Sequence, residues 1–240
     1  CIYEQGKSKF DIADLKEADT VEVEGTYKSD DRAPNGFELR LDTVEILSEP
    51  AEPMPLQINK WKLNTSIEAK LNNRAIALRN PRERAVFRIQ EGITRGFRDF
   101  LYEQGFTEIH TPKLGAKSAE GGANLFKLEY FHRPAILQQS PQFYKQMMVG
   151  VFDRVFETAP VFRAEKHNTK RHLNEYTSLD FEMGYIDGFE DIMAMETGFL
   201  QYTMKLLKES YSKELELLKI ELPDVSQIPR VRFDEAKERV

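Results

Sequence analysis

The stretch that decides the fold is FETAPVFRAEKHNTKRHLNEYTSLDFEM, from Phe156 to Met183. Read as two strands, it alternates. Phe156, Thr158, Pro160, Phe162 and Ala164 point one way, and Glu157, Val161, Arg163 and Glu165 point the other. On the return, apolar Leu179, Phe181 and Met183 alternate with polar Ser178, Asp180 and Glu182. One apolar and one charged face predict a hairpin lying over a core. The connection, Lys166 to Glu175, carries Lys166, His167, Lys170, Arg171 and His172. Five side chains able to carry positive charge on one loop suit an anion.

A charged strand face is ordinarily just solvated. That default weakens here because Arg163 is flanked by apolar residues and followed two positions on by Glu165. A planar guanidinium grips phosphate or carboxylate oxygens in pairs, and a neighbouring carboxylate accepts hydrogen bonds, as from an exocyclic amine. With a basic loop to close over a polyphosphate tail, these parts suggest a nucleotide site. The chain holds no GxxxxGK[ST] or GxGxxG, so P-loop and Rossmann chemistry have no support.

Upstream of the hairpin, Asn80 can cap a helix, Pro81 suits its first position and Glu83 completes a capping box. Val86, Ile89, Ile93, Phe97 and Phe100 form its apolar stripe, and Gly105 ends it. A strand from Phe106 to Leu114 follows. It contains Pro112, which donates no ladder hydrogen bond and so belongs at an edge or interface. SAEGGANLF, Ser118 to Phe126, reads as a glycine loop with Glu120 at its root. The apolar strand Ala135 to Leu137 leads into QQSPQFYKQ, where Pro141 starts a helix running to about Gly150. Gln142 and Lys145 share one face of it, and a lone helix lysine is ordinarily solvated.

Beyond Tyr185, the spacing of Ile192, Met195, Phe199, Tyr202 and Leu206 predicts a second long helix, with its Met residues as core filler. From Glu214 to Val240 a short strand, loop and helix are expected. At the other end, residues 1 to about 50 read as β structure with a helical turn near Ile12 to Asp19. There, Val21 and Val23 alternate with Glu22 and Glu24, Asn35-Gly36 is a hairpin turn signal, and Phe37, Leu39 and Leu41 alternate with Glu38, Arg40 and Asp42. Residues 51 to 80 read as a connector, extended by Pro50, Pro53 and Pro55.

The 240 residues are 31% charged and 40% hydrophobic, which predicts a globular chain rather than a disordered one. A net charge of −6 excludes a generally basic nucleic-acid binder while allowing a local basic patch. Cys1 is the only cysteine and the four histidines show no HExxH spacing, so a disulfide framework and these zinc motifs are excluded. No apolar run is long enough to span a membrane, and the expected compartment is the cytoplasm.

FRAE followed by RHLNEY resembles motif 2 of the class II aminoacyl-tRNA synthetases, and GFTEIHTPKL resembles their motif 1, the dimer-interface motif. The fuller pattern, in family order over almost the whole chain, is similar to the aspartyl/asparaginyl branch and most of all to archaeal-type aspartyl-tRNA synthetases. The resemblance implies an α+β fold, an antiparallel class II catalytic sheet flanked by helices, over residues 81–240. Ahead of it would lie part of an OB-fold anticodon-binding barrel (1–50) and a hinge (51–80). It implies ATP-dependent activation of aspartate and transfer to tRNA(Asp) by a homodimer, with Pro112 at the dimer interface.

By the same likeness, Arg163 would be the catalytic cation, holding the α-phosphate and the substrate carboxylate. Ala164, Glu165, Arg171, His172, Leu173 and Tyr176 would complete the ATP site. Glu120, Ser140, Gln142 and Lys145 would bind aspartate, Lys145 through the side-chain carboxylate. Gly121 and Gly122 would form a mobile loop, and Lys166, His167 and Lys170 would meet the tRNA acceptor end. The family's motif 3, with its Mg²⁺ ligands, has no counterpart before Val240. The chain is therefore expected to be part of a longer protein and inactive alone, with no metal ligands of its own. Rival expectations are an asparaginyl enzyme, a ligase acting on tRNA(Asp) and tRNA(Asn) alike, and a non-catalytic RNA-binding or regulatory paralogue.

Overall fold

The computed structural model describes residues 1–6, 9–33, 36–117, 124–167, 169 and 172–238. The chain divides into two compact units, Cys1–Asn80 and Pro81–Val240.

In the first unit, a 3₁₀ turn at Ile12–Asp14 is capped by Asp11, whose carboxylate accepts the Ala13 N–H at 2.9 Å. Strands β1 (Thr20–Ser29) and β2 (Phe37–Ser48) pair antiparallel, from Thr20 opposite Ser48 to Ser29 opposite Phe37. Asn35 of the expected turn lies outside the described residues. At a register shift, a Cβ on Gly25 would stand 2.1 Å from the Arg40 carbonyl oxygen, so only glycine lets the strands meet there. Neither strand contains a buried residue.

The Pro-rich start of the connector is non-helical, as its prolines require, but its second half forms α1 (Ile67–Asn72) and α2 (Arg74–Ala77). Ser66 caps α1 by accepting the Ala69 N–H at 3.1 Å. Asn80 is fully buried, and its amide donates to the carbonyls of Ile58 (2.9 Å) and Lys60 (2.6 Å).

The second unit is built on the hairpin. Its elements are α3 (Pro81–Glu103), β3 (Thr107–Glu108), β4 (Leu114–Gly115), β5 (Lys127–Tyr130), β6 (Arg133–Leu137), α4 (Gln142–Phe152), β7 (Arg154–Phe162), β8 (Glu175–Met183), α5 (Phe189–Ser210), α6 (Ser212–Leu218) and α7 (Phe233–Glu238). One sheet has the order β3-β7-β8 and the other β4-β6-β5. All pairings are antiparallel except β3 with β7. In the hairpin, Phe156 stands opposite Phe181 and Glu157 opposite Asp180, so each face of β7 continues onto β8.

The apolar face packs on α3 and α5. Phe156, Phe97, Phe100, Leu101 and Phe106 form the core, joined by Leu179, Phe181, Met195 and Phe199. The rings meet edge to face, Phe97 against Phe156 at 5.7 Å and against Phe199 at 5.2 Å. Burying each such side chain contributes about 1.5–3 kcal/mol. The helices approach closely because α3 presents glycines: a Cβ at Gly96 would lie 2.5 Å from Thr203 Oγ1, and one at Gly92 2.7 Å from Leu207 Cδ2. The α3 stripe begins at Ala85 rather than Val86. Ala85 is buried, one turn before Ile89, while Val86 is left exposed. The strand expected after Glu214 is replaced by α6, because Tyr211 and Leu215 fit the helical spacing that joins Leu207 in a second cluster.

The expected strand Phe106–Leu114 is broken into β3 and β4, each at the edge of its own sheet. Two causes act at the break. Pro112 offers no N–H. The Thr111 N–H is taken by the Glu157 carboxylate at 2.6 Å, which also accepts from Thr111 Oγ1 (2.8 Å) and Lys113 Nζ (2.7 Å). Glu157 is only 2% exposed, so the charged hairpin face is interior, not solvated, at this position. Removing one partner of so enclosed an ion pair strands the other. Glu157→Ala is expected to destabilise the protein by about 3 kcal/mol. The check is a lowered urea midpoint with unchanged slope, and Glu157→Gln should lose less.

Candidate functional site

The polar face of the hairpin is a row. From β7 come Glu157, Ala159 and Val161, and opposite them on β8 stand Asp180, Ser178 and Tyr176. The Arg163 N–H donates to the Asn174 carbonyl at 2.9 Å, extending the pairing by a step and leaving Arg163 on the face of Val161 and Tyr176. Strict alternation ends there. The Glu165 N–H bonds back to the Arg163 carbonyl at 2.8 Å, a tight turn that redirects the chain. Glu165 therefore does not follow by strand parity, as the alternation predicted. It is half-buried, and its carboxylate lies 3.7 Å from His172 Nε2. Tyr176 and Ser140 are half-buried, and Leu173 is exposed.

Helix α4 packs on β7 and β8. Lys145 projects from it and is 5% exposed, against the expectation for a lone helix lysine. Its ammonium meets Asp180 Oδ1 at 2.8 Å and Glu182 Oε2 at 3.4 Å. The Ser178 hydroxyl donates to the other Asp180 oxygen. The cation at the expected acid-binding position is thus already paired by residues of the hairpin. The burial of both groups is sustained because each charge has a counter-charge and hydrogen bonds. Gln142, half-buried, stands three residues before Lys145 on the same helix.

Two further residues join the sheets at this place. The Phe162 N–H donates to the Gln138 carbonyl at 3.0 Å, and the Gln138 N–H to the Lys113 carbonyl at 2.9 Å. Buried Gln139 donates its side-chain amide to the Asn124 carbonyl at 3.2 Å, and the same carbonyl accepts the Ala164 N–H at 3.0 Å. The end of the glycine loop is thereby tied to the turn after Arg163.

In the connection, Lys166 and His167 are exposed, the rings of His167 and His172 lie 5.2 Å apart, and Thr169 Oγ1 is 2.6 Å from His172 Nδ1. Glu120, Gly121, Gly122, Lys170 and Arg171 lie outside the described residues. Pro112 is exposed at the break between the sheets. The structure thus brings Arg163, Tyr176 and, through Asp180 and Glu182, Lys145 to one sheet face. Sequence reasoning missed Asp180, Glu182, Glu157, Thr111, Lys113 and Gln139 as site or support residues. The alternation had placed Asp180 and Glu182 on the correct face; what was lacking was the register that puts Glu157 opposite Asp180 and the packing of α4 above both.

Known proteins resemble this chain in sequence and fold. The family model for class II tRNA synthetases (D, K and N) matches residues 66–240. The chain is 46% identical over 222 residues to the aspartate–tRNA(Asp/Asn) ligase of Deinococcus radiodurans, covering 92% of this chain and 51% of that one. It is 42% identical over 229 residues to the aspartate–tRNA(Asp) ligase of Pyrococcus abyssi, covering 95% and 52%. The chain spans about half the length of the curated relatives it matches. Among solved structures, asparaginyl-tRNA synthetase from Pyrococcus horikoshii, complexed with asparaginyl-adenylate, superposes with a TM-score of 0.82 at 33% identity, covering 92% of this chain and 51% of that one. With a family model that matches residues 66–240, most of its length, the chain belongs to the class II tRNA synthetases of the D, K and N group.

Proposed function

We propose that the protein to which this chain belongs joins aspartate to ATP, giving aspartyl-adenylate and pyrophosphate, and passes the aspartyl group to the terminal ribose of tRNA(Asp). The observation that carries this reading is the buried Lys145 ammonium on the sheet face that also bears Arg163 and Tyr176. A fixed cation for an acidic side chain stands on the same face as a guanidinium suited to phosphate. The names of the relatives from Deinococcus and Pyrococcus abyssi support the same substrate.

In this reading, Arg163 draws the α-phosphate and the substrate α-carboxylate together. Charge builds on the phosphoryl oxygens as the carboxylate attacks, and a preset guanidinium stabilises it without reorganising. Tyr176 stacks under adenine, Glu165 accepts from its exocyclic amine, and the backbone and side chains of Ala164 and Leu173 line the base. His172 and Arg171 reach the outer phosphates. Glu120 takes the α-ammonium, while Ser140 and Gln142 hydrogen-bond the substrate near Lys145. No protein nucleophile is needed, since placement and electrostatics carry such transfer. Among the described residues no three His, Cys, Asp or Glu side chains are grouped to hold a metal ion. The Mg²⁺ that accompanies ATP would offset phosphate charge, and the roles of Arg163, Tyr176 and Lys145 do not depend on it.

Lys166, His167 and Lys170 would meet the acceptor end of the tRNA, a salt-dependent contact. Gly121 and Gly122 would let the loop from Glu120 close over substrate. Residues 81–240 would be the catalytic domain, 51–80 a hinge and 1–50 part of an OB-fold anticodon-binding barrel. Pro112 would lie in a homodimer interface, and the cytoplasm would be the place of action. Among the described residues no helix is long and apolar enough to cross a membrane. Use of tRNA(Asn) as well is favoured by the name of the Deinococcus relative, and charging both tRNAs with aspartate would settle which reading holds.

Arg163→Ala in the full-length protein is expected to lower aspartate-dependent ATP–pyrophosphate exchange by roughly two to three orders of magnitude. RNA binding retained by a wild type that shows no exchange would instead favour a non-catalytic paralogue. Lys145→Glu, with Lys145→Met as a neutral companion, should raise the KM for aspartate about 100-fold and leave that for ATP within about twofold. Unchanged aspartate kinetics would remove Lys145 from its assigned role.

A further inference from the structure

The two carboxylates on Lys145 are not equivalent. Asp180 is close, at 2.8 Å, its side chain is 19% exposed, and its second oxygen is held by Ser178. Glu182 is farther, at 3.4 Å, and its side chain is 29% exposed. Both lie on one face of β8, two residues apart, beneath the same ammonium. Among the described residues Glu157 and Lys113 face them from β7 and the strand break, and these two neutralise each other at 2.7 Å. The local sum of Lys145, Asp180 and Glu182 is therefore one negative charge, an unfavourable setting for a further anion.

We propose that Glu182 is an exchangeable internal anion, occupying on Lys145 the place that an acidic substrate side chain takes, while Asp180 holds the ammonium permanently. This rests on the aspartate reading above. Lys145 has three N–H donors, one fixed by Asp180. The incoming carboxylate takes the donor now shared with Glu182, and the Glu182 side chain, already part-exposed and joined by the longer contact, turns to solvent. Glu182 thereby keeps the buried cation paired when no substrate is bound, and it sets the affinity for acid by competing with it. A neutral amide side chain carries no charge with which to displace Glu182, so Glu182 acts on aspartate far more than on asparagine. It is a specificity-setting residue that works through Lys145.

The test is calorimetric titration of the full-length protein with aspartate and, separately, with asparagine. Glu182→Gln keeps the shape and removes the charge. It is expected to tighten aspartate about tenfold and to shift asparagine less than about twofold. Glu182→Ala should act in the same direction, and adding Lys145→Met should abolish the gain, as expected of coupled residues. Aspartate binding that is unchanged or weaker in both Glu182 variants, with melting temperatures near wild type, overturns the proposal. So does an equal shift for the two amino acids. If wild-type protein binds no aspartate, the functional reading itself fails; if it binds aspartate but the variants match it, only the role of Glu182 is lost.

Discussion

A row of charges on a sheet face enclosed between two layers is the constraint that organises this molecule. Core aromatics require β7 and β8 to bury one face against α3 and α5, and α4 then encloses the other. An enclosed carboxylate must bring its own counter-charge and hydrogen bonds. Glu157 brings Lys113 and Thr111, and Asp180 brings Lys145 and Ser178. Like charges directly opposite across a ladder repel, so Glu157 and Asp180 can stand as neighbours only because each is separately neutralised. The two lysines come from different segments, one from the break between β3 and β4 and one from α4. The pairing therefore also dictates where those segments dock.

Much of this could be read in the sequence because periodicity reports burial. The alternation in FETAPVF and SLDFEM predicted the ribbon and which side chains share a face, and the helical spacing from Ile89 to Phe100 predicted α3. Motif spacing identified the family on the strength of residues 105–114 and 156–183, and the matching family model agrees. What could not be read was whatever depends on contacts distant in sequence. Lys145 looked like an ordinary solvated helix residue because its partners are 35 and 37 residues away, an interval no local pattern encodes. Nor does any local pattern show that this cation is paired within the chain, by Asp180 and Glu182.

Boundaries failed where a single backbone group decided the outcome. The run from Phe106 to Leu114 has strand composition throughout, yet one proline and one diverted N–H at Thr111 split it between two sheets. After Glu214, local composition allowed a strand, but Tyr211 and Leu215 found partners on α3 that favour helix. Parity failed at Glu165 for a similar reason, a tight turn just past the end of β7.

The split at Thr111 to Lys113 has a wider consequence. Arg163 is borne by one sheet, whereas Ser140, Gln142 and Lys145 follow directly from the last strand of the other. Among the described residues the two sheets are stitched by the bonds of Phe162 to Gln138, Gln138 to Lys113, Gln139 and Ala164 to Asn124, and the grip of Glu157 on the crossing chain. The spacing of the two sheets can thus be adjusted at those stitches while the aromatic layer beneath stays as it is. A substitution on one sheet can therefore shift Ser140 and Gln142 relative to Arg163 without repacking the aromatic core.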